Sequence, residues 1–193
     1  MLTFEKCKHT NKYNSPDMKV IFLDIDGVLN TDNGRAKRSD RGLPTRDKYE
    51  ELFDEDAVAN LRLVLEAVPE ALIVIESAWK TSLGGLPVLR EMWKFRNMPG
   101  RIHSVTEDLK SFPELLDLDL SDMDNFAKVM GLGKGYGIKK WIEEHAAEEI
   151  QYVIIDDVPD FLPEQRPHVV CPNSFIGLSR DNALEAIGIL NMM

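Results

Sequence analysis

The amino-acid sequence predicts an α/β fold, a doubly wound parallel sheet with helices on both faces. Three observations lead there. Short apolar runs rich in branched residues recur along the chain, they are continuous rather than alternating, and segments with helical spacing lie between them. Continuous apolarity suits strands covered on both faces, as in a parallel sheet. Strands alternating with helices then require crossover connections.

The elements follow in order. Residues 1–17 are polar and read as an accessory or disordered tail, so the folded domain is expected to span 18–193. Val20 to Leu23 forms the first strand. Thr31 to Asp54, polar and basic, matches no regular element and is a candidate small cap or substrate loop. Val58, Leu61, Leu65 and Val68 fall on one helical stripe, followed by a strand at Leu72 to Ile75. A weaker strand is expected at Ile102 to Val105. Ser111 to Gly133, acidic and marked by Pro113, is left unassigned. Ile138, Trp141 and Ile142 mark a second helix, Val153 to Ile155 a strand, His168 to Val170 a weaker one. Leu184, Ile187 and Leu190 mark a last helix.

At 193 residues the chain accommodates one such domain with at most a small cap. Apolar and charged shares of 44% and 29% are those of a soluble protein, and no run approaches the roughly 20 apolar residues of a membrane span. With no secretory signal in the polar N-terminus, a cytoplasmic location is expected. The two cysteines, Cys7 and Cys171, lack metal-ligand spacing and read as free thiols. A net charge of -10 disfavours broad capture of nucleic acid or anionic membrane, so an anionic substrate needs local positive charge or a metal.

In such sheets ligands bind outside the carboxyl ends of the strands, and those ends here are acidic or hydroxylic. Asp24-Ile25-Asp26-Gly27-Val28 follows the first strand, Ser77 the second, and Asp156-Asp157 follows Tyr152 to Ile155. Two carboxylates one residue apart at the end of an apolar run are costly to leave unpaired. A divalent cation such as magnesium relieves that cost. One carboxylate can attack phosphorus while the other protonates the leaving oxygen and later activates water. Gly27 permits a tight exit from the strand. An Asp-rich turn is the plainer reading of that motif alone, and a capping Asp that of Asp156-Asp157, with Asp160 near enough to assist. Ser77 can donate a hydrogen bond to a phosphoryl oxygen. Lys134, in Gly133-Lys134-Gly135, is expected just before the helix of Ile138, where a cation opposes the macrodipole and neutralising phosphate would account for it; an exposed loop lysine is the alternative. Arg35, Lys37, Arg38, Arg41, Arg46 and Lys48 form a basic loop, which either attracts phosphate to the crevice or is simply solvated. His103, His145 and His168 have no mutual metal spacing, and Trp79 and Trp93 read as packing residues.

These elements, in this order, resemble the haloacid dehalogenase (HAD) superfamily. The resemblance implies a Rossmann-like core, with Asp24 as nucleophile and metal ligand. Asp26 would be the general acid/base, its carbonyl on the metal, and its presence implies phosphoryl transfer rather than dehalogenation. Ser77 and Lys134 would hold the phosphoryl group, and Asp156 and Asp157 would anchor magnesium. Ser77-Ala78-Trp79-Lys80, the segment Trp93 to Pro99, Lys134-Gly135 with Ile138 and Trp141-Ile142, and Ile176-Gly177-Leu178 narrow it further. They resemble the small HAD domains associated with Swiss Army Knife RNA-repair proteins, over about Met18 to Leu190. Glu76 and Ala78 stand where a small or hydroxylic residue and a serine are expected. The resulting expectation is a magnesium-dependent phosphohydrolase acting on a phosphorylated small molecule, nucleotide or nucleic-acid end through an aspartyl-phosphate, with no membrane or obligate protein partner. A phosphate- or nucleic-acid-binding module with weak or no turnover, or a phosphoprotein phosphatase, remain alternatives.

Overall fold

The first strand, β1 (Lys19–Leu23), explains why the sheet needs cover on both sides. Its Ile21 and Leu23 enter one hydrophobic core, Val20 and Phe22 the other, and all four are fully buried. The computed structural model describes residues 18–108, 111, 123–145 and 150–192; the 1–17 segment, Cys7 included, lies outside them. After β1 come helix α1 (Asp32–Asp40), a two-stranded antiparallel ribbon of β2 (Arg46–Asp47) and β3 (Glu50–Glu51), and helix α2 (Glu55–Ala67). Next are β4 (Leu72–Ile75), the short α3 (Trp79–Ser82), α4 (Leu86–Phe95) and β5 (Ile102–Val105). The long α5 (Met123–His145), β6 (Gln151–Ile155), a single turn at Arg166–His168, β7 (Val169–Val170) and α6 (Arg180–Leu190) complete the order.

The five main strands are all parallel, in the order β5-β4-β1-β6-β7. The chain winds outward from β1 in both directions, so the switch point of the sheet lies at the carboxyl end of β1. The predicted α/β, doubly wound, Rossmann-like architecture is the observed one. One face is covered by α2, α4 and α6 through residues such as Leu61, Met92 and Ala186. The other carries α5, whose Trp141 packs edge-to-face on Phe22 with centroids 5.4 Å apart. Among the described residues, no helix is long and apolar enough to cross a membrane.

Three expectations change. Thr31 to Asp54 is not irregular: Thr31 caps α1 by accepting from Gly34 N, Asp54 caps α2 by accepting from Asp56 N, and the ribbon lies between them. Thr31 Oγ1 also donates to Asp54 at 3.0 Å, tying the two helix starts together. The basic side chains of this segment are met by acids: Arg35 by Asp32 and Glu51, Lys37 by Asp56, Arg38 and Arg41 by Glu55, Arg46 by Glu50, Lys48 by Glu91. They form a network of surface pairs rather than a free cationic loop. On α6 the buried face is Ala183, Ala186, Ile189 and Leu190, while Leu184 is exposed. Part of Ser111 to Gly133 lies outside the described residues, and its end belongs to α5.

Candidate active site

The carboxyl ends of β1, β4 and β6 meet at one cavity of about 700 Å³, lined by Asp24, Asp26, Ser77, Lys134 and Asp157 among others. The parallel register aligns Leu23 with Ile75 on one side and with Ile155 on the other. The next residue of each strand therefore emerges at the same level. That brings Asp24, Glu76 and Asp156 side by side.

Asp24 is buried; its Oδ1 accepts from Ile25 N at 2.7 Å and its Oδ2 from Lys134 Nζ at 2.7 Å. Lys134 Nζ also donates to Asp156 Oδ2 at 2.6 Å, and Asp156 Oδ1 accepts from Val158 N at 2.9 Å. Lys134 is not at a helix start, as expected from its flanking glycines, but inside the 23-residue α5. The helix reaches the site because Gly135 lets it lie close to the loop after β6. A Cβ there would stand 2.7 Å from Gln165 Oε1 and 3.1 Å from Leu162 Cγ. Gln165, itself buried, donates back to Gly135 O at 2.8 Å.

Carboxylate oxygens of Asp24, Asp156 and Asp157 all lie within 4.8 Å of one another. The electrostatics reflect crowding. Burial first, then the Asp24 charge, push Asp156 up to about 7 against the pull of Lys134, and the same two causes raise Asp157. Burial by itself would lower the Lys134 pKa, but Asp24 and Asp156 outweigh it and raise it, so the ammonium stays charged. One ammonium against three carboxylates leaves excess negative charge in an oxygen-only donor set. A small hard dication such as magnesium fits that set. Gly27 makes room for the Asp157 carboxylate: with φ at +70°, any Cβ would stand 2.3 Å from Asp157 Oδ2. Asp160 is exposed and outside the cluster.

Asp26 stands apart from those three carboxylates. Its Oδ1 accepts from Asn30 Nδ2 at 2.7 Å and from Trp79 Nε1 at 2.9 Å. Neither donor was anticipated: Trp79 reads as packing from sequence, and only the Asp26–Asn30 spacing in the turn after β1 hinted at the other. Trp79 is held in turn by Phe53, at 5.6 Å, and by the Arg96 guanidinium, 5.7 Å from its ring. Trp93 is a packing residue as expected, donating to Pro99 O. The imidazoles are structural too: His103 and His145 pack on Trp141, His168 on Tyr152.

Ser77 is 2% exposed and its Oγ has no hydrogen-bond partner among the described residues. A buried hydroxyl without a partner is uncommon and points to a group supplied from outside the protein. Beside it, the unexpected Glu76 is buried and ion-paired with Lys80 at 3.3 Å; Lys80 Nζ also donates to Thr106 Oγ1 and Glu107 O, each at 2.9 Å. This pair ties β4 and α3 to the segment after β5, which fixes the backbone on either side of Ser77.

The family model for the HAD domain in Swiss Army Knife RNA repair proteins matches residues 20–183, most of the chain. No curated protein and no solved structure matches it significantly.

Proposed function

The chain belongs to the family of HAD domains in Swiss Army Knife RNA repair proteins, and from that premise we propose that it is a magnesium-dependent phosphohydrolase. It cleaves a phosphomonoester through an aspartyl-phosphate on Asp24. One observation carries the reading: a buried carboxylate paired with a lysine, a second carboxylate held by neutral donors, and a partnerless serine hydroxyl line a single cavity.

Asp24, Asp156 and Asp157 would hold the cation, with the Asp26 carbonyl completing the set as the family resemblance implies; once bound, it offsets charge on the phosphoryl oxygens. The chain's own residues do the rest. The Asp24 carboxylate attacks phosphorus, and the bond from phosphorus to the leaving oxygen breaks. Both donors to Asp26 bind Oδ1, which leaves Oδ2 to carry the proton. Asp26 gives that proton to the leaving oxygen. It then takes one from the water that attacks phosphorus, which frees Asp24 and inorganic phosphate. Ser77 donates to a phosphoryl oxygen and Lys134 balances its charge. The segment of α1 and the ribbon forms one wall of the cavity through Asp32, Arg35 and Glu51, the role of a minimal cap. Because the family description names RNA repair proteins, the proposal counts nucleic-acid ends as candidate substrates beside small phosphate esters.

The test is phosphate release from a panel of phosphorylated metabolites and end-phosphorylated oligonucleotides, with magnesium and with chelator. Magnesium-dependent release from at least one is expected; none from any, with protein shown to be folded, rejects the reading. Trp79→Phe is expected to slow turnover about tenfold for esters with poor leaving groups, because one donor to Asp26 is lost. Esters whose leaving oxygen needs no proton should be much less affected. An equal loss across leaving groups would mean that Trp79 does not act through Asp26.

A further inference from the structure

We infer that Phe175 is the surface on which the substrate's leaving group stacks, so that the site selects phosphomonoesters whose alcohol carries an uncharged aromatic ring. The inference rests on the phosphohydrolase reading for its chemistry, but on separate residues for its specificity.

Phe175 is 58% exposed, and of the exposed large apolar side chains among the described residues it alone lines the cavity of Asp24 and Asp26. Phe95 is equally exposed, yet Tyr49 packs against it and the Lys48 ammonium sits 4.9 Å above its ring. Phe175 has no such ring or cation partner among the described residues. Leaving a large apolar ring in water forgoes burial that a ligand can supply.

The backbone that presents the ring is tied down. Asn173 closes the turn, its carbonyl accepting from Ile176 N at 2.9 Å and Gly177 N at 2.8 Å, and its Oδ1 from Phe175 N at 3.0 Å. Phe175 O accepts from Asn33 N in α1, and Leu178 N donates to Val28 O at 2.9 Å, just after the Asp24 motif. Gly177, with φ at +79°, lets that turn lie against Val28 O, where a Cβ would come within 2.6 Å. The turn is thus fastened at Phe175 to the start of α1 and at Leu178 to the loop that carries Asp24 and Asp26. A backbone held this way spares a flat partner the cost of ordering the turn.

Charge selects against the alternative of a second anionic group. The two cations lining the cavity are already engaged: Lys134 with Asp24 and Asp156, Arg35 with Asp32 and Glu51. Once the transferring phosphoryl group is placed, the rim next to α1 offers carboxylates. An uncharged ring suits it.

A nucleoside 5′-monophosphate and ribose 5-phosphate share the same leaving oxygen and differ by the ring, so they isolate the effect. The native protein is expected to favour the nucleoside ester in kcat/KM by about tenfold, the usual scale of one aromatic stack. Phe175→Ala should bring that ratio to about one, and Phe175→Trp should retain it. Equal efficiency toward both esters in the native protein, or a preference that survives Phe175→Ala, overturns the inference. Equilibrium titration of both esters separates it from the hydrolase reading. A ring-dependent affinity lost in Phe175→Ala supports the stacking surface whether or not either ester is turned over, while the hydrolase reading stands or falls on the full substrate panel. Equal affinities that Phe175→Ala leaves alike reject the stacking surface, whatever the turnover.

Discussion

Replacing Asp24 by Asn is expected to lower phosphate release by at least about 10³-fold, because the attacking oxygen and the covalent intermediate are lost together. The fold should survive. Asparagine keeps an oxygen for the Ile25 N–H, and Lys134 retains Asp156 as a partner. Metal affinity should fall as well, since the cluster drops from three carboxylates to two. Steady-state release, circular dichroism and a magnesium titration of the variant read these effects separately. Undiminished turnover by a folded Asp24→Asn protein would place the nucleophile elsewhere.

The largest expected effect on stability belongs to Lys80→Met. Glu76 is fully enclosed, and burial, against the pull of Lys80, pushes its carboxyl from the ordinary 4.5 up to about 8. Removing the ammonium strands that acid and leaves Thr106 Oγ1 and Glu107 O without their donor. Where Glu76 is ionised, breaking such a pair from one side costs about 3–5 kcal/mol; where it holds its proton, the cost is that of the lost hydrogen bonds. Replacing both members together, as Glu76→Leu with Lys80→Met, should recover most of it. The pH dependence has a definite sign. Between about 4.5 and 8 the folded chain holds a proton on Glu76 that the unfolded chain releases. The native protein therefore loses this contribution to stability as pH rises through that window. Without Lys80 the folded-state pKa rises further, so the decline should continue to higher pH. Urea unfolding at several pH values reads both; a variant as stable as the native protein would show that the pair carries no net stabilisation.

The acidic strand ends were legible because each follows an apolar run whose parallel pairing is itself legible. Once Val20 to Leu23, Leu72 to Ile75 and Val153 to Ile155 are strands of one parallel sheet, Asp24, Ser77 and Asp156 have to emerge at the same edge. Lys134 was identified by its chemistry but misplaced in the fold. Its neighbouring glycines read as a loop, whereas Gly135 lets α5 pack closely on the segment of Leu162 and Gln165. The basic segment from Arg35 to Lys48 looked like a free cationic surface because most of its acidic partners lie elsewhere in the chain: Glu51, Glu55, Asp56 and Glu91. On α6, Ala183, Ala186 and Ile189 share the core-facing side with Leu190, Ile187 packs at its edge, and of the expected stripe Leu184 alone faces water.

By itself the sequence determined the sheet, its switch point and the carboxylates along its edge, all of which depend on short-range apolar pattern and on chain order. Tertiary structure alone decided what surrounds those carboxylates: Trp79 and Asn30 on Asp26, Lys80 beside Glu76, Arg35 already engaged, Phe175 lining the cavity. The physical reason is range. Apolar periodicity reports how a segment is covered, but a hydrogen bond or ion pair depends on which side chains the packed chain brings within about 3 Å of each other, and no local pattern records that distance.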